Sequence, residues 1–403
     1  MLRHLHRGGR RILLLLLSSL INLPAFADTE TDPEESAWDA LLRDVEATEA
    51  LFSDPTYSDE DSEPISSFLY ISTIAAGYGY SDNFLKRNYA VSSAYTRFEA
   101  DLWFNWSRGN QSLTGLFFAE LNLYEKEFSA SDEYLAFGLL TWMHSMDKIQ
   151  FGVDLQGMVA DQIYDESLTT LSVPQGTNIY QANPEANLFI EWFPGSRDKL
   201  RLEVGAGRAE FDIDNEDFWE PGAAIEWEHL WRFSIKTKTK IGYSRQLYDD
   251  ELIRDPRGNF LSSTQLLEVD TVSILQKIEW KPAFWDWFKL TLYAGATEVM
   301  DRYGTYEEMT RTWVSLSPSM KFKWFQWSLS GRWSKRDYEY RWAGYFNPYP
   351  SKQITRSIST EVVKPLPWNL EMTLRAEWRH NQAREVEDTY TESRGELILG
   401  WSY

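Results

Sequence analysis

Arginine and carboxylate side chains recur at every second position in several stretches of this chain. Arg97, Glu99 and Asp101 alternate with apolar or aromatic residues, and the same spacing recurs over 370–379 and 394–403. Alternate residues of a β-strand point to opposite faces, so these charges share one face of each strand. Enclosed charges must be paired or hydrated, which suits a water-filled channel or a salt-bridged interior. The candidate lining residues are Arg97, Glu99, Asp101, Arg332, Arg375, Glu377, Arg379, Arg394 and Glu396.

Four of these arginines are expected to share one wall. Arg375, Arg379, Arg394 and Arg97 become neighbours if the last strand of the sheet pairs with the first. One hypothesis is a basic stripe that guides anionic solutes through the interior. The alternative is that carboxylates on the same strands, such as Glu396, neutralise the arginines in pairs.

Enzymatic chemistry finds little support in the residues. The chain has five histidines, and His380 is the one expected near the outer end of a strand. Ser393 could lie across from it, but no motif provides the third group that a serine hydrolase needs. Acidic clusters at 212–217 and 249–251 could hold calcium, although acidic loops are common without an ion. We predict no enzymatic activity and no cofactor or metal.

The amino-acid composition indicates which kinds of partner the chain is expected to contact. The chain has 19 Trp and 21 Tyr, residues that favour membrane interfaces, and no cysteine. Its formal net charge is −21, which argues against a nucleic acid as partner. We expect membrane lipid instead.

The first 27 residues have the pattern of a secretion signal. Arginines precede an apolar run over 12–23, and Ala25-Phe26-Ala27 matches a cleavage site before Asp28. The run is shorter than the ~20 residues of a membrane-spanning helix. We therefore predict a signal peptide over 1–27, cleaved between Ala27 and Asp28.

Residues 28–64 form an acidic segment, with 14 Asp or Glu and a single arginine, Arg43. Trp38, Leu41 and Val45 are close to helical spacing, and prolines follow. We predict a largely disordered periplasmic tail with one short helix. Alternatively, the helix docks on a periplasmic partner or partly plugs the pore.

Residues 65–403 read as a series of strands that alternate apolar and polar residues. Short and long connections also alternate, as expected when all short turns lie at one end of a barrel. We predict an all-β, antiparallel up-and-down transmembrane β-barrel of about sixteen strands, with fourteen or eighteen also possible. A β-sandwich or propeller is the alternative, and it leaves the secretion signal unexplained.

The end of the chain carries a resemblance to a known class. Leu397, Leu399, Trp401 and Tyr403 share one face of a final amphipathic strand, and only Ile398 interrupts the pattern. This strand resembles the closing strand of Gram-negative outer-membrane β-barrels, which the barrel assembly machinery reads. The resemblance implies an outer-membrane location in contact with lipid and lipopolysaccharide, with both termini in the periplasm.

Two further resemblances concern function. Strand number and loop order are similar to those of sixteen-stranded porins, whose third outer loop narrows the pore. That implies constriction residues Asp161, Asp165 and Glu166, although Val173-Pro174-Gln175-Gly176 replaces the porin Pro-Glu-Phe-Gly motif. Residues 75–83 resemble a strand-to-loop segment of uncharacterised barrels, some of which accompany polysaccharide export.

The predicted function is a porin-like or export channel that passes polar solutes or a polymer through a charge-lined lumen. The alternatives are a structural or adhesive barrel with a closed lumen and, as a third choice, a barrel enzyme.

Overall fold

Sixteen β-strands make up most of the described chain, together with one 3-10 turn at Arg232–Ser234. The computed structural model describes residues 67–86, 90–125, 132–163, 178–212, 216–285, 287–343, 349–385 and 388–403. Among these residues, no helix is long and apolar enough to cross a membrane. The strands are β1 (Ser67–Ser81), β2 (Ser93–Arg108), β3 (Gln111–Tyr124), β4 (Glu133–Met146), β5 (Ile149–Ile163), β6 (Asn178–Gly195), β7 (Asp198–Phe211), β8 (Phe218–Leu230), β9 (Ile235–Leu252), β10 (Leu266–Trp280), β11 (Phe288–Asp301), β12 (Met309–Lys321), β13 (Gln326–Trp342), β14 (Pro350–Pro365), β15 (Leu370–Ala383) and β16 (Tyr390–Ser402).

Each strand pairs antiparallel with the next, and β16 pairs with β1 to close the barrel. The closing register runs from Thr73 opposite Ser402 to Ser81 opposite Arg394. The predicted fold class and the count of sixteen are confirmed. The predicted signal peptide with its Ala27–Asp28 cleavage site and the acidic tail over 28–64 lie outside the described residues.

The closing strand shows how the two faces are divided. Leu397, Leu399, Trp401 and Tyr403 are all exposed on the outer surface. Ile398, the residue that interrupts the sequence pattern, points inward and is buried. It packs on Gly77, where a Cβ would lie 2.8 Å from Cγ1 of Ile398. The outer face of β16 is therefore apolar, as contact with hydrocarbon requires.

Strand ends differ from the predicted limits at several connections. A strand predicted over 309–324 ends at Lys321, because the Phe322 amide donates to the Phe325 carbonyl and forms a turn. Conversely, β5 continues to Ile163 and shortens the predicted loop over 161–179. Loop residues have no periodicity, so sequence alone placed these boundaries only to within a few residues.

An apolar patch faces inward on β3, β4 and β5. Its members alternate with outward-facing residues along each strand and are almost fully buried: Leu116, Phe118, Leu135, Phe137, Met158 and Ala160. Trp103 of β2 packs against this patch. The interior wall is thus apolar on β3 to β5, whereas ionic clusters line other parts of it.

Candidate functional site

Arg97 stands at the centre of an ionic cluster beside the closing seam. Its guanidinium group contacts Glu99 at 2.5 Å, Glu120 at 2.8 Å and Glu396 at 3.3 Å. The side chains of Arg97 and Glu396 are 10% and 6% exposed. Arg97, Glu99 and Glu120 come from the neighbouring strands β2 and β3, and barrel closure adds Glu396 of β16. Pairing on three sides compensates the loss of water around the arginine.

Arg375 extends the cluster onto β15. It contacts Glu361 at 2.9 Å, Glu99 at 3.4 Å and Glu396 at 3.5 Å. Glu396 thus bridges Arg97 and Arg375, and it also accepts a hydrogen bond of 2.5 Å from the Tyr95 hydroxyl. Buried ionic groups with several partners hold their positions, so this part of the wall is preorganised.

The remaining two seam arginines have carboxylate partners as well. Arg379 contacts Glu377 at 2.9 Å, and Arg394 contacts Glu392. Glu392 additionally accepts a hydrogen bond of 2.8 Å from Ser81. The structure therefore brings the four arginines onto one wall, each beside at least one carboxylate. This geometry favours paired neutralisation over a free basic stripe.

The two remaining predicted lining residues, Arg332 and Asp101, also lie on the inward face. Arg332 points inward from β13, is 1% exposed, and its guanidinium carbon lies 4.6 Å from the Trp313 ring centroid. Asp101 lies between Thr73 of β1 and Phe118 of β3 in register. Both share the inward face of their strands with the other candidates.

A second ionic cluster lines β5 to β9. Arg201 contacts Asp154, Glu191 at 3.2 Å and Glu203 at 3.0 Å. Lys240 reaches the same Glu203 at 3.3 Å. Alternation also predicts this cluster, because each member occupies an inward position of its strand.

An acidic recess opens beside the second cluster. It has a volume of about 260 Å³, and its walls include Glu185, Glu203 and Glu220. Glycines form much of its floor, including Gly205 and Gly222, and their lack of side chains leaves the space open. The Glu220 carboxylate accepts a hydrogen bond of 2.6 Å from Ser244. This recess widens the lumen on one side.

The connections at the end away from the chain termini fold against one another. The Trp342 amide of β13 donates to the Pro256 carbonyl at 2.8 Å, so the β9–β10 connection reaches past the β11–β12 connection. Arg254 contacts Glu251 at 2.6 Å, and Arg341 lies 4.9 Å from the Tyr306 ring centroid. This end of the barrel therefore carries an assembly of loops that contact one another.

Three loop carboxyl groups at this end have strongly raised pKa values. Burial, reinforced by Glu339 and Asp301, raises the pKa of Glu308 to about 7. Burial, reinforced by Glu251 and Glu307, raises the pKa of Glu216 to about 7. Burial also raises the pKa of Glu307 to about 7, although Arg341 and Arg254 oppose the shift. These groups therefore change charge near neutral pH.

The remaining candidates are the constriction-loop residues, the His380–Ser393 pair and a metal site. Asp161 lies within β5, opposite Tyr134 and Tyr180, whose exposed rings mark the outer face. Asp165 and Glu166 lie outside the described residues, so the constriction loop stays a prediction. His380 lies opposite Thr391, while Ser393 lies opposite Trp378. Within the described ranges, no group of three His, Asp or Glu side chains is arranged to hold a metal ion.

Sequence reasoning missed several members of the seam cluster. Glu120, Glu361 and Glu392 each contact a predicted arginine, and Tyr95 contacts Glu396. All four occupy inward positions by alternation, so the signal existed. The sequence does not give the register between neighbouring strands, and this register determines which charged side chains contact each other.

Comparisons with known proteins gave matches of structure only. No protein-family model matches the chain, and no curated protein matches it. Solved structures with a similar arrangement include OccAB2 of Acinetobacter baumannii, at 9% identity and a TM-score of 0.43, covering 83% of this chain and 98% of that one. OpdK of Pseudomonas aeruginosa with vanillate matches at 8% identity and a TM-score of 0.45, covering 84% and 100%. OccK2 (OpdF) of Pseudomonas aeruginosa in complex with glucuronate matches at 12% identity and a TM-score of 0.41, covering 85% and 99%.

Proposed function

We propose that this protein is an outer-membrane channel that passes polar solutes through a charge-lined lumen and has no enzymatic activity. One observation carries the proposal: a closed sixteen-stranded barrel has an apolar outer face and ionic clusters inside. Lipid contact requires the first feature, and a hydrated passage accounts for the second. A porin-like channel and an export pore both fit this arrangement.

The same proposal includes the envelope context. The apolar outer positions of the closing strand, Leu397 to Tyr403, would be read by the barrel assembly machinery. Because both ends of the barrel sequence lie at the end of the short turns, the termini would face the periplasm. The acidic tail would then be available to a periplasmic partner after cleavage at Ala27–Asp28.

Selectivity in the proposed channel is expected to be weak on the seam side. Arg97 and Arg375 share Glu99 and Glu396, so little net positive charge is left to attract anions. The acidic recess at Glu185, Glu203 and Glu220 adds negative potential on the other side. We therefore propose passage of small polar solutes with at most a slight preference for cations.

Planar-bilayer recording tests the proposal. The purified barrel should show steady conductance steps that scale with salt concentration, and a salt gradient should give a reversal potential near zero or slightly cation-selective. Reversing a lumen charge with Arg375→Glu should shift that potential toward cations, whereas the outward-facing Arg245→Glu should not. A folded barrel without steady openings would favour a structural or adhesive barrel with a sealed lumen.

A further inference from the structure

The acidic recess lies where three neighbouring strands lose their inward side chains. Gly205 and Gly207 of β7, Gly222 of β8 and Gly242 of β9 occupy inward positions in its wall. Gly205 lies opposite Gly222 in register, so the backbone is bare across adjoining strands. A Cβ at Gly207 would make only ordinary contacts, the shortest of them 3.4 Å from the Pro184 carbonyl oxygen. The glycine at this position therefore keeps space open and is not needed to relieve a clash.

Two carboxylates flank this gap. Glu185 of β6 lies opposite Gly207 in register, and Gly207 lies opposite Glu220 of β8. The backbones of the two acidic residues are thus two strand spacings apart, or about 10 Å. The volume of the recess, about 260 Å³, is close to the lower end of the range for small-molecule sites, about 300 Å³. The recess therefore has room for a solute of about monosaccharide size between the two carboxylates.

Neither of these two carboxylates contacts a lysine or arginine among the residues that the structure describes. Glu185 accepts hydrogen bonds from the side-chain amides of Gln156 and Asn187. Glu220 accepts a hydrogen bond of 2.6 Å from the Ser244 hydroxyl. All three donors are neutral, so both negative charges are hydrogen-bonded but not balanced.

The basic side chains around the recess are held by other carboxylates. Lys240 and Arg201 both contact Glu203, at 3.3 Å and 3.0 Å. The other inward-facing bases of β7 to β9 pair with acids nearer the short turns: Lys199 with Glu191, Lys238 with Glu226 and Lys236 with Glu228. From the recess to the short turns, the inward faces of β5 to β9 carry seven carboxylates and five basic groups, a formal charge of −2. This excess lies at Glu185 and Glu220.

Asn187 adds a hydrogen-bond acceptor to the same recess. It is 8% exposed, and it lines the recess. Its Nδ2 donates to Glu185 at 2.5 Å, which fixes the orientation of the amide because a carboxylate only accepts. Its Oδ1 lies over Gly205, in the space that a Cβ there would occupy, and no residue in the described ranges donates to it. A buried acceptor of this kind needs a donor from water or from a solute.

We propose that the acidic recess is a binding site for small solutes that carry a protonated amine. The ammonium group donates to Glu185 or Glu220, and the other polar groups of the solute donate to the remaining acceptors, including Asn187. The site rests on the proposed channel, and it names the class of solute that the channel favours. Because charge-assisted hydrogen bonds are stronger than neutral ones, an amino solute is bound in preference to a neutral solute of the same size.

The test compares glucosamine with glucose, which share one ring and differ in the protonated amine. Binding to the purified barrel in a sugar-free neutral detergent is measured by ligand-observed nuclear magnetic resonance at about pH 6, where glucosamine is protonated and carboxylates are ionised. The wild-type barrel should bind glucosamine at least about tenfold more tightly than glucose. Conductance of the same preparation is recorded separately in planar bilayers.

Two variants assign the binding to the recess. Glu185→Gln with Glu220→Gln keeps the shape of the recess and removes its unbalanced charges, so it should lose about tenfold in glucosamine affinity and bind glucose as before. Gly207→Val keeps the charges and fills the gap between them, so it should also lose glucosamine binding. The matched control, Glu210→Gln with Glu268→Gln, removes two carboxylates from the outer face and should bind glucosamine like wild type. Each variant must keep the heat-resistant mobility of a folded barrel.

The outcomes separate the recess from the channel. Equal affinity for glucosamine and glucose would overturn the site, as would undiminished glucosamine binding in either recess variant or an equal loss in the control. A wild-type barrel that conducts but shows no preference for the amine overturns this site alone. One that binds glucosamine through Glu185 and Glu220 but does not conduct overturns the channel alone.

Discussion

Glu396 occupies a position where one carboxylate serves three partners. Tyr95 donates to it, and Arg97 and Arg375 lie within 3.5 Å. Its side chain is 6% exposed, so water cannot replace a lost contact. Removing one partner of a buried ionic group costs far more than removing an exposed charge, because the remaining charges stay buried and uncompensated.

Glu396→Gln should therefore lower the stability of the folded barrel substantially, by about 3 kcal/mol. The measurement is the denaturant midpoint for loss of barrel structure in lipid vesicles. The matched control is Glu210→Gln, because Glu210 is 57% exposed and 3.5 Å from Arg208. That change should cost less than about 1 kcal/mol. Equal midpoints for the two variants would show that the cluster does not stabilise the barrel.

At the scale of strands, aromatic rings cover glycines on the neighbouring strand. Trp313 of β12 covers Gly295 of β11, where an added Cβ would lie 2.5 Å from the ring. Phe104 covers Gly115 in the same way on the outer face. A ring that lies flat on a glycine shields the backbone ladder and fixes the local register.

Gly295→Val should displace the Trp313 ring and, with it, the Arg332 guanidinium group that the ring contacts. Since overpacking typically costs 1–3 kcal/mol, we expect a loss of about 2 kcal/mol, measured as a lower midpoint of thermal unfolding. Gly331→Val is the matched control, because no described atom lies within 4 Å of a Cβ at Gly331. If the two variants have the same midpoint of thermal unfolding, the packing of the ring on the glycine makes no measurable contribution to stability.

The strands themselves were predicted well from the sequence, whereas the side-chain contacts between them were predicted poorly. Alternation over Arg97 to Asp101 and over Arg375 to Arg379 predicts which residues face inward. It cannot tell which carboxylate an arginine meets, since that depends on register across four strands. It also fails where both faces are apolar, as in β4, so the inward direction of Leu135 and Phe137 was not predicted.

For the whole molecule, the loop assembly at the mouth should respond to pH. Glu216, Glu307 and Glu308 have pKa values raised from 4.5 to about 7, so the folded assembly favours their protonated forms. Its stability is then full below pH 4.5 and declines as pH rises through 7. The groups that face them include Arg254, Arg341, Glu251, Asp301 and Glu339.

A spin label at position 263 should therefore be more mobile at pH 8 than at pH 5. Because the chain has no cysteine, Ser263→Cys gives a single labelling site on the exposed β9–β10 connection. A label at Lys148→Cys, in a short turn at the other end, should show no pH response. Adding Glu216→Gln, Glu307→Gln and Glu308→Gln should abolish the response at position 263, and its persistence would refute the assignment to these groups.

The seam cluster also constrains the order of assembly. Arg97 is separated from Glu396 by 299 positions in the chain, and Arg375 from Glu99 by 276. An assembly intermediate with every strand except β16 in place would hold both arginines without the carboxylate that joins them. In such an intermediate Arg97 keeps Glu99 and Glu120 and Arg375 keeps Glu361, but both arginines lack Glu396 until the final strand enters. Insertion of the last strand adds these contacts to the hydrogen bonds between β16 and β1, so the barrel should rarely reopen along this edge once it has closed.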